Sequence, residues 1–460
     1  MTGRRSAVTG RCLLPESPIF TDKQRLLMQT ASKKVVNGWA MYDWANSVYN
    51  LVITTSFFPI YFLAVTGGSD ENARVHLFGR DFVNSALYNY IIAAAYLIVT
   101  ILYPILTSIA DTRGNKKNFL RFFCYMGAIG CSSLFLFKQD TLSVGITGFM
   151  LAAMGYAGSL VFYNAYLPEI AAPEDQDRIS ARGFSFGYIG SVIMQFVGFG
   201  LLIVMSDQEA LATRITFLLV GIWWFGFSQI TFARLPKPVM KSYVRGNIIK
   251  DGFAEMRKVY SQVKQMPVLK RFLRGFFFYS MGVQTVMLAA TVFGSKVLHL
   301  PAQKLIITVV LIQLVAIPGA WGMSKMSSKY GNIKVLLSIV FFWILVCLAA
   351  YYTATLAHQG VNTEYYFYGL AVAVGLVMGG IQSLSRSTYS KLMPDTKDTA
   401  SFFSYYDATE KLAIVIGIFS FGFIEDITGS MQNSILSLIV FFTIGFIWLY
   451  SALLKQKQQP

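Results

Sequence analysis

Charged side chains are scarce in this sequence. Only 13% of its 460 residues are Asp, Glu, Lys or Arg, against 55% hydrophobic and 15% aromatic, which excludes a soluble domain of ordinary composition. Cysteine numbers four: Cys12 lies in a polar tail, and Cys124, Cys131 and Cys347 lie within apolar runs. No disulfide framework or metal-ligand spacing results. His76, His299 and His358 fall in or beside short connections, as solvated loop residues do. There is no phosphate-cradling glycine loop, no Gly-x-Ser-x-Gly turn and no paired metal-ligand motif. The sequence thus gives no support to an enzyme or a nucleotide-driven pump, and no catalytic residue, cofactor or metal is expected. Alternation of polar and apolar residues is also missing, which argues against sheets. Residues Met1 to Val36 are polar and basic without the apolar core of a signal peptide.

What the chain does have is length in its apolar runs. From residue 38 onward twelve of them follow, at about 38–65, 84–110, 118–137, 142–168, 182–206, 214–233, 272–296, 303–326, 333–357, 365–392, 401–424 and 432–453, each near the length that crosses a bilayer. Several contain Pro or Gly, which membrane helices tolerate when neighbours satisfy the backbone. The expected class is an all-α membrane protein of twelve transmembrane helices. A cytoplasmic tail covers 1–37, a six-helix half 38–233, a basic linker 234–271, a second six-helix half 272–453 and a short tail 454–460. The halves echo each other faintly. Ala181 to Tyr188 opens the fifth span and Ala400 to Asp407 the eleventh, each after a Pro-acidic pair, Pro168-Glu169 and Pro394-Asp395. Duplicated six-helix units are a known plan for secondary transporters.

The net charge of +16 follows topology. Placing the N-terminus inside leaves Arg74, Arg80, Lys138, Arg214, Lys296 and Lys304 on the outer side and the other basic residues inside, so both termini are expected in the cytoplasm, with the protein in the cell's inner membrane. Nucleic acid is not an expected partner; membrane lipids are, and a monomer is expected. Within the linker, Ile248 to Val263 has the character of a helix lying on an anionic leaflet.

The first span is an odd anchor, because Trp39, Asp43, Asn46, Asn50 and Thr54 fall on one face at helical spacing. Buried polar groups cost several kcal/mol unless they face protein or water, so that face is expected to look into a cavity. Interhelical hydrogen bonding is the alternative use. Between spans two and three, Ala110-Asp111-Thr112-Arg113-Gly114-Asn115-Lys116-Lys117 makes a tight turn at Gly114. Asp111, with Arg113 beside it, is placed to latch onto a basic group or helix N-terminus of the opposite half. The matching turn, Ser328 to Lys334, keeps the glycine and base without the acid.

That turn resembles the signature of the major facilitator superfamily, with Thr107 where the signature usually has glycine. Tyr42 to Ser47, Phe162 to Glu169 and Ser180 to Tyr188 resemble more narrowly its UMF1 branch, related to the vacuole effluxer (autophagy protein 22-like) transporters. The resemblance covers all twelve spans and implies the major facilitator fold, with two pseudo-symmetric halves. It also implies export of a small-molecule solute, with amino acids the best-supported class among eukaryotic relatives.

In folds of this kind the first helix of each three-helix repeat lines the central cavity. The candidate solute-binding residues are therefore Asp43, Asn46 and Asn50 of span one, Tyr163 of span four, Gln284 of span seven, and Gln382 and Arg386 of span ten. Beside them Tyr156, Ser159, Tyr166, Ser280, Ser385 and Tyr389 share the same faces. Arg386 stands near the inner end of its span, where it either snorkels to headgroups or offers its fork to a solute carboxylate. Span eleven holds Asp407, Glu410 and Lys411; Asp407 and Lys411 have the spacing of an ion pair, and one acid is left over. Asp43, Asp407, Glu410 and Lys411 are the candidates for proton coupling, Asp43 first among them. The leading expectation is efflux of a small polar or zwitterionic solute by alternating access, with protons as coupling partner. A lipid flippase on the same fold and a non-transporting sensor or scaffold are the alternatives.

Overall fold

The computed structural model describes residues 29–67, 74–77, 79–236 and 248–458. The N-terminal tail up to residue 28, with Cys12, and linker residues 237–247 lie outside the described residues. Among the described residues there are thirteen long helices. α1 runs Lys33–Val65, α2 Asn84–Arg113, α3 Lys116–Ser133, α4 Leu142–Asn164, α5 Gln176–Val204 and α6 Glu209–Arg234. The linker forms α7, Ile248–Gln265. The second half follows as α8 Pro267–Lys296, α9 Ala302–Tyr330, α10 Asn332–His358, α11 Glu364–Leu392, α12 Thr399–Thr428 and α13 Met431–Lys457.

Eleven of these helices are long and apolar enough to cross a membrane. The twelfth, α12, has 30 residues and carries Asp407, Glu410 and Lys411. A helix of that length rises roughly 45 Å, more than a bilayer core requires. Twelve crossings bring the start of α1 and the end of α13 to one side, called here the terminal face.

The packing repeats between halves. α1 packs on α5 and α6, as α8 does on α12 and α13; α3 packs on α4 and α6, as α10 does on α11 and α13; α2 packs on α4, as α9 does on α11. Contacts across the halves pair the same way, α2 with α12 and α9 with α5, α5 with α11 and α12 with α4. These reciprocal pairings are those of a pseudo-twofold axis between two six-helix units.

Small residues set the tightest crossings. A Cβ on Gly155 of α4 would run into the backbone of Gly127 in α3, and a Cβ on Gly375 or Gly379 of α11 would run into the carbonyls of Ile312 or Ala316 in α9. Lipid supplies no hydrophobic drive between helices, so backbone approach of this kind is a main source of their cohesion. Thr107, the departure from the usual signature glycine, is buried and turns its hydroxyl back onto the Tyr103 carbonyl at 2.7 Å.

Two features depart from the sequence reading. A two-stranded antiparallel hairpin, β1 Arg74–Leu77 and β2 Arg80–Val83, joins α1 to α2. Its strands are too short for alternation to register, and the pair is fixed by Gly79 at φ 74° and by His76 facing Asp81 at 2.8 Å. Secondly, α1 is not regular. Tyr49–Phe57 is a π-helix, just before Pro59, whose ring lacks an N–H and crowds the preceding turn. The Thr54 carbonyl, five residues before Pro59, accepts from Tyr88 Oη at 2.8 Å, and the Leu51 carbonyl accepts from Thr55 Oγ1 at 2.8 Å, Ser56 Oγ at 3.0 Å and Gln195 Nε2 at 3.0 Å.

Candidate functional site

A cavity of about 120 Å³ lies between the halves, deep in the bundle. α1 supplies Asp43, Ser47 and Asn50, α4 ends beside it with Asn164, and α8 supplies Gln284. Gln382 and Arg386 enter from α11, and Asp407, Glu410 and Lys411 from α12. In the regular stretch Lys33–Val48, Asp43 is followed on the cavity face by Ser47, four residues on, and the wider turns of the π-helix change the phase only beyond it. Ser47 reaches the cavity where Asn46 was expected, and neither Asn46 nor Thr54 lines it. Asn46 is buried in the first half, with its Nδ2 lacking a hydrogen-bond partner. Of the other span-four residues expected there, Tyr156 lines the cavity while Tyr163, Ser159 and Tyr166 do not; Ser280, Ser385 and Tyr389 also stand outside it.

Tyr163 stands one layer back. Its hydroxyl donates to Asp43 Oδ2 at 2.7 Å, and its ring stacks on Trp39 at 4.5 Å. Asp43 Oδ2 also accepts from Arg386 Nη1 and Nη2, both at 3.3 Å. Arg386 does not snorkel: it is 3% exposed. Its Nε donates to Ser180 Oγ and its Nη2 to the Ser180 carbonyl, each at 2.9 Å. Phe184 lies 4.3 Å and Trp39 4.8 Å from the guanidinium carbon. The residue at Gly183 must be this small, since a Cβ there would run into Asp43 Oδ2. One arginine of the second half is thus riveted to three elements of the first.

Asn164 joins this pair to α12. Its Oδ1 accepts from Arg386 Nη1 at 3.5 Å and its Nδ2 donates to Asp407 Oδ1 at 3.2 Å. Lys411 pairs with Glu410 at 2.8 Å instead of with Asp407, because adjacent long side chains here fold toward one another while Asp407 turns to Asn164. Gln284 Nε2 donates to Glu410 Oε1 at 3.3 Å. Asp407 Oδ2 has no hydrogen-bond partner. The carboxylate left without a cation is therefore Asp407, whereas Asp43, the first choice from sequence, holds Arg386. Asn164 and Ser180 were not singled out from sequence, although they stand within two of the three runs quoted for the family resemblance.

Asp111 lies on the terminal face, away from the cavity. Its Oδ2 accepts from the Ser401 backbone N–H at 2.8 Å and from Ser401 Oγ at 2.9 Å, and its Oδ1 from the Ala400 N–H at 3.3 Å. It thereby caps the N-terminus of α12, where a negative charge is favourable. Gly114 closes the turn at φ 68°, with Arg113 ending α2 before it. Lys116 adds contacts to Glu169 and Thr399. The opposite crossing uses other atoms. Asp177, in the first turn of α5, accepts from Ser327 Oγ, Asn332 Nδ2 and Lys391 Nζ, each at 2.7 Å. Both crossings hold the halves together on the terminal side of the cavity. Asp111→Ala is expected to weaken that closure by about 1 kcal/mol, the usual worth of a helix cap. Spin labels at Arg178 and Lys325 would then report a larger share of wide separations; an unchanged distribution would count against a latch.

The chain matches the family described as vacuole effluxer Atg22 like over residues 31–459. It is 29% identical to the MFS-type transporter YxiO of Bacillus subtilis, covering 90% of this chain and 94% of the relative. It is 25% identical to autophagy-related protein 22 of Eremothecium gossypii, covering 93% and 92% respectively. Among solved structures, the human organic anion transporter MFSD10 aligns with a TM-score of 0.70 at 11% identity over 92% of this chain and all of that one. A bacterial homologue of the iron transporter ferroportin, in an outward-facing state, aligns at 0.64 and 12% identity over 90% and 98%. At such low identity these likenesses establish the fold alone. With the family matched over residues 31–459 and the two-half helical fold shared with these transporters, the chain belongs to the Atg22-like vacuole effluxer family of MFS-type membrane transporters.

Proposed function

We propose that the protein is a secondary active transporter that exports a small zwitterionic solute, such as an amino acid, by alternating access in exchange for protons. The observation that carries this reading is the charge balance of the cavity: three carboxylates, Asp43, Asp407 and Glu410, face two cations, Arg386 and Lys411. The surplus carboxylate is Asp407, and it is held by an amide alone. An ammonium group entering the cavity compensates it; when the solute leaves, a proton does the same. Two ligands that neutralise one carboxylate exclude each other there, which is the requirement for exchange. The solute carboxylate meets Arg386 and Lys411 on the neighbouring walls. A cavity so lined suits a polar solute better than a lipid chain.

The halves then rock about this site. The grips of Asp111 and Asp177 hold the terminal face shut, and their release opens it. The excess of basic residues on that face favours a cytoplasmic position for both termini, and a monomer suffices because the cavity is built from one chain.

The test is transport by the purified protein in vesicles with an imposed pH gradient, using amino-acid, peptide and sugar panels. Accumulation of an amino acid against its own gradient is the expected result. No movement of any panel member under a pH or a solute gradient would overturn the reading.

A further inference from the structure

A second cavity, of about 50 Å³, lies one helical turn beyond the first, on the side away from the chain ends. The two share Leu51, and the lining of each helix continues from one to the other. Gln284 of α8 is followed by Met287 and Ala290, and Met378 of α11 is preceded by Val374. α9 enters only here, with Gln313. The walls are otherwise largely apolar, and the hydroxyls of Thr55 and Thr308 donate within their own helices, to Leu51 and Lys304 at 2.8 Å.

Gln313 is out of keeping with such a chamber. It is 1% exposed, and neither its Nε2 nor its Oε1 has a hydrogen-bond partner. An orphaned buried polar group costs about 1–3 kcal/mol, and a leucine of similar size would avoid that cost. The amide presents one donor and one acceptor side, which together match another amide.

We propose that this chamber binds the side chain of the transported solute and selects for an uncharged one ending in an amide, with Gln313 as the specificity-determining residue. The inference rests on the zwitterion-transporter reading. The ammonium and carboxylate stay in the charged cavity, and the side chain passes Leu51 into the apolar chamber, where its tip meets Gln313. A buried site built to hydrogen-bond its ligand rejects the analogue that lacks the group, because its own polar atoms are then left unpaired.

The experiment is competition against labelled solute counterflow in vesicles holding the full-length protein, with glutamine, norleucine and glycine as competitors. The wild-type protein is expected to prefer glutamine to norleucine by about tenfold, within the range set by leaving one buried polar group unpaired. Gln313→Leu should reverse that order while glycine exchange persists. Ala290→Leu, which adds bulk to the chamber wall and leaves Gln313 in the sequence, gives a second reading: it should lose glutamine and keep glycine. An unchanged glutamine-to-norleucine ratio in Gln313→Leu, with glycine exchange intact, overturns the chamber and leaves the transporter reading standing; it would mean that the amide is served by water. Equal retention of glutamine and glycine in Ala290→Leu overturns it likewise. Failure of the wild-type protein to exchange any of the three overturns both.

Discussion

Asp407→Asn is expected to exchange solute across the vesicle membrane while losing accumulation driven by a pH gradient. The substitution keeps the shape of the side chain and an acceptor for Asn164 Nδ2, which donates to Oδ1 at 3.2 Å. It removes the surplus charge, leaving two carboxylates against two cations in the cavity, as a bound proton would. A difference of one pH unit is worth about 1.4 kcal/mol per proton and so supports roughly tenfold accumulation in one-for-one exchange. The variant should bring that ratio down to one. Accumulation at the wild-type level in Asp407→Asn would remove the proton from this residue, and Glu410→Gln and Asp43→Asn measured beside it would show which carboxylate carries it.

The second large effect is on stability. Arg386→Leu strands the Asp43 carboxylate in a place that is 4% exposed, with Tyr163 as its remaining donor. Removing one partner of a buried ion pair costs about 3–5 kcal/mol, because the other charge is left uncompensated. The melting temperature of the purified protein should fall accordingly. Asp43→Asn combined with Arg386→Leu should recover most of that loss, since no charge is then orphaned. Arg386→Lys is expected to fall between them, as an ammonium keeps the charge but loses the fork onto Ser180 and the stacking on Phe184. Equal stability of Arg386→Leu and the double variant would show that the pair does not hold the protein together.

The fold was legible because a bilayer imposes a length on every crossing, and the twelve apolar runs meet it to within a few residues of the helices observed. The hairpin was not, since four-residue strands carry too little alternation to distinguish them from a polar loop. The cavity was half legible. Asp43, Asn50, Gln284, Gln382 and Arg386 stood out because each is costly in an apolar run, and all five line the cavity. Thr54 misled because the face was drawn at a constant 3.6 residues per turn, which Tyr49–Phe57 does not keep, and Asn46 because three and four residues beyond Asp43 flank the same face and the cavity takes the fourth, Ser47. Partner choice lay beyond sequence. Nothing in the spacing of Asp407, Glu410 and Lys411 tells which acid takes the base, and an arginine's distance from a helix end does not tell whether a carboxylate from a segment 343 residues away is waiting for it.

The two crossings at the terminal face solve one problem with their parts exchanged. On one side the acid sits at the end of α2 and the receiving groups are the first amides of α12; on the other the acid, Asp177, rides on the receiving helix, Ser327 and Asn332 beside the α9–α10 turn contribute hydroxyl and amide, and Lys391 at the end of α11 contributes a base. A duplicated gene could therefore drift until only one copy of its signature was recognisable, while both closures stayed intact. It also gives each closure its own susceptibility. Substitution at Ser327, Asn332 or Lys391 therefore loosens one closure while the other, anchored in part on backbone amides, stays in place, so the two locks can be loosened one at a time.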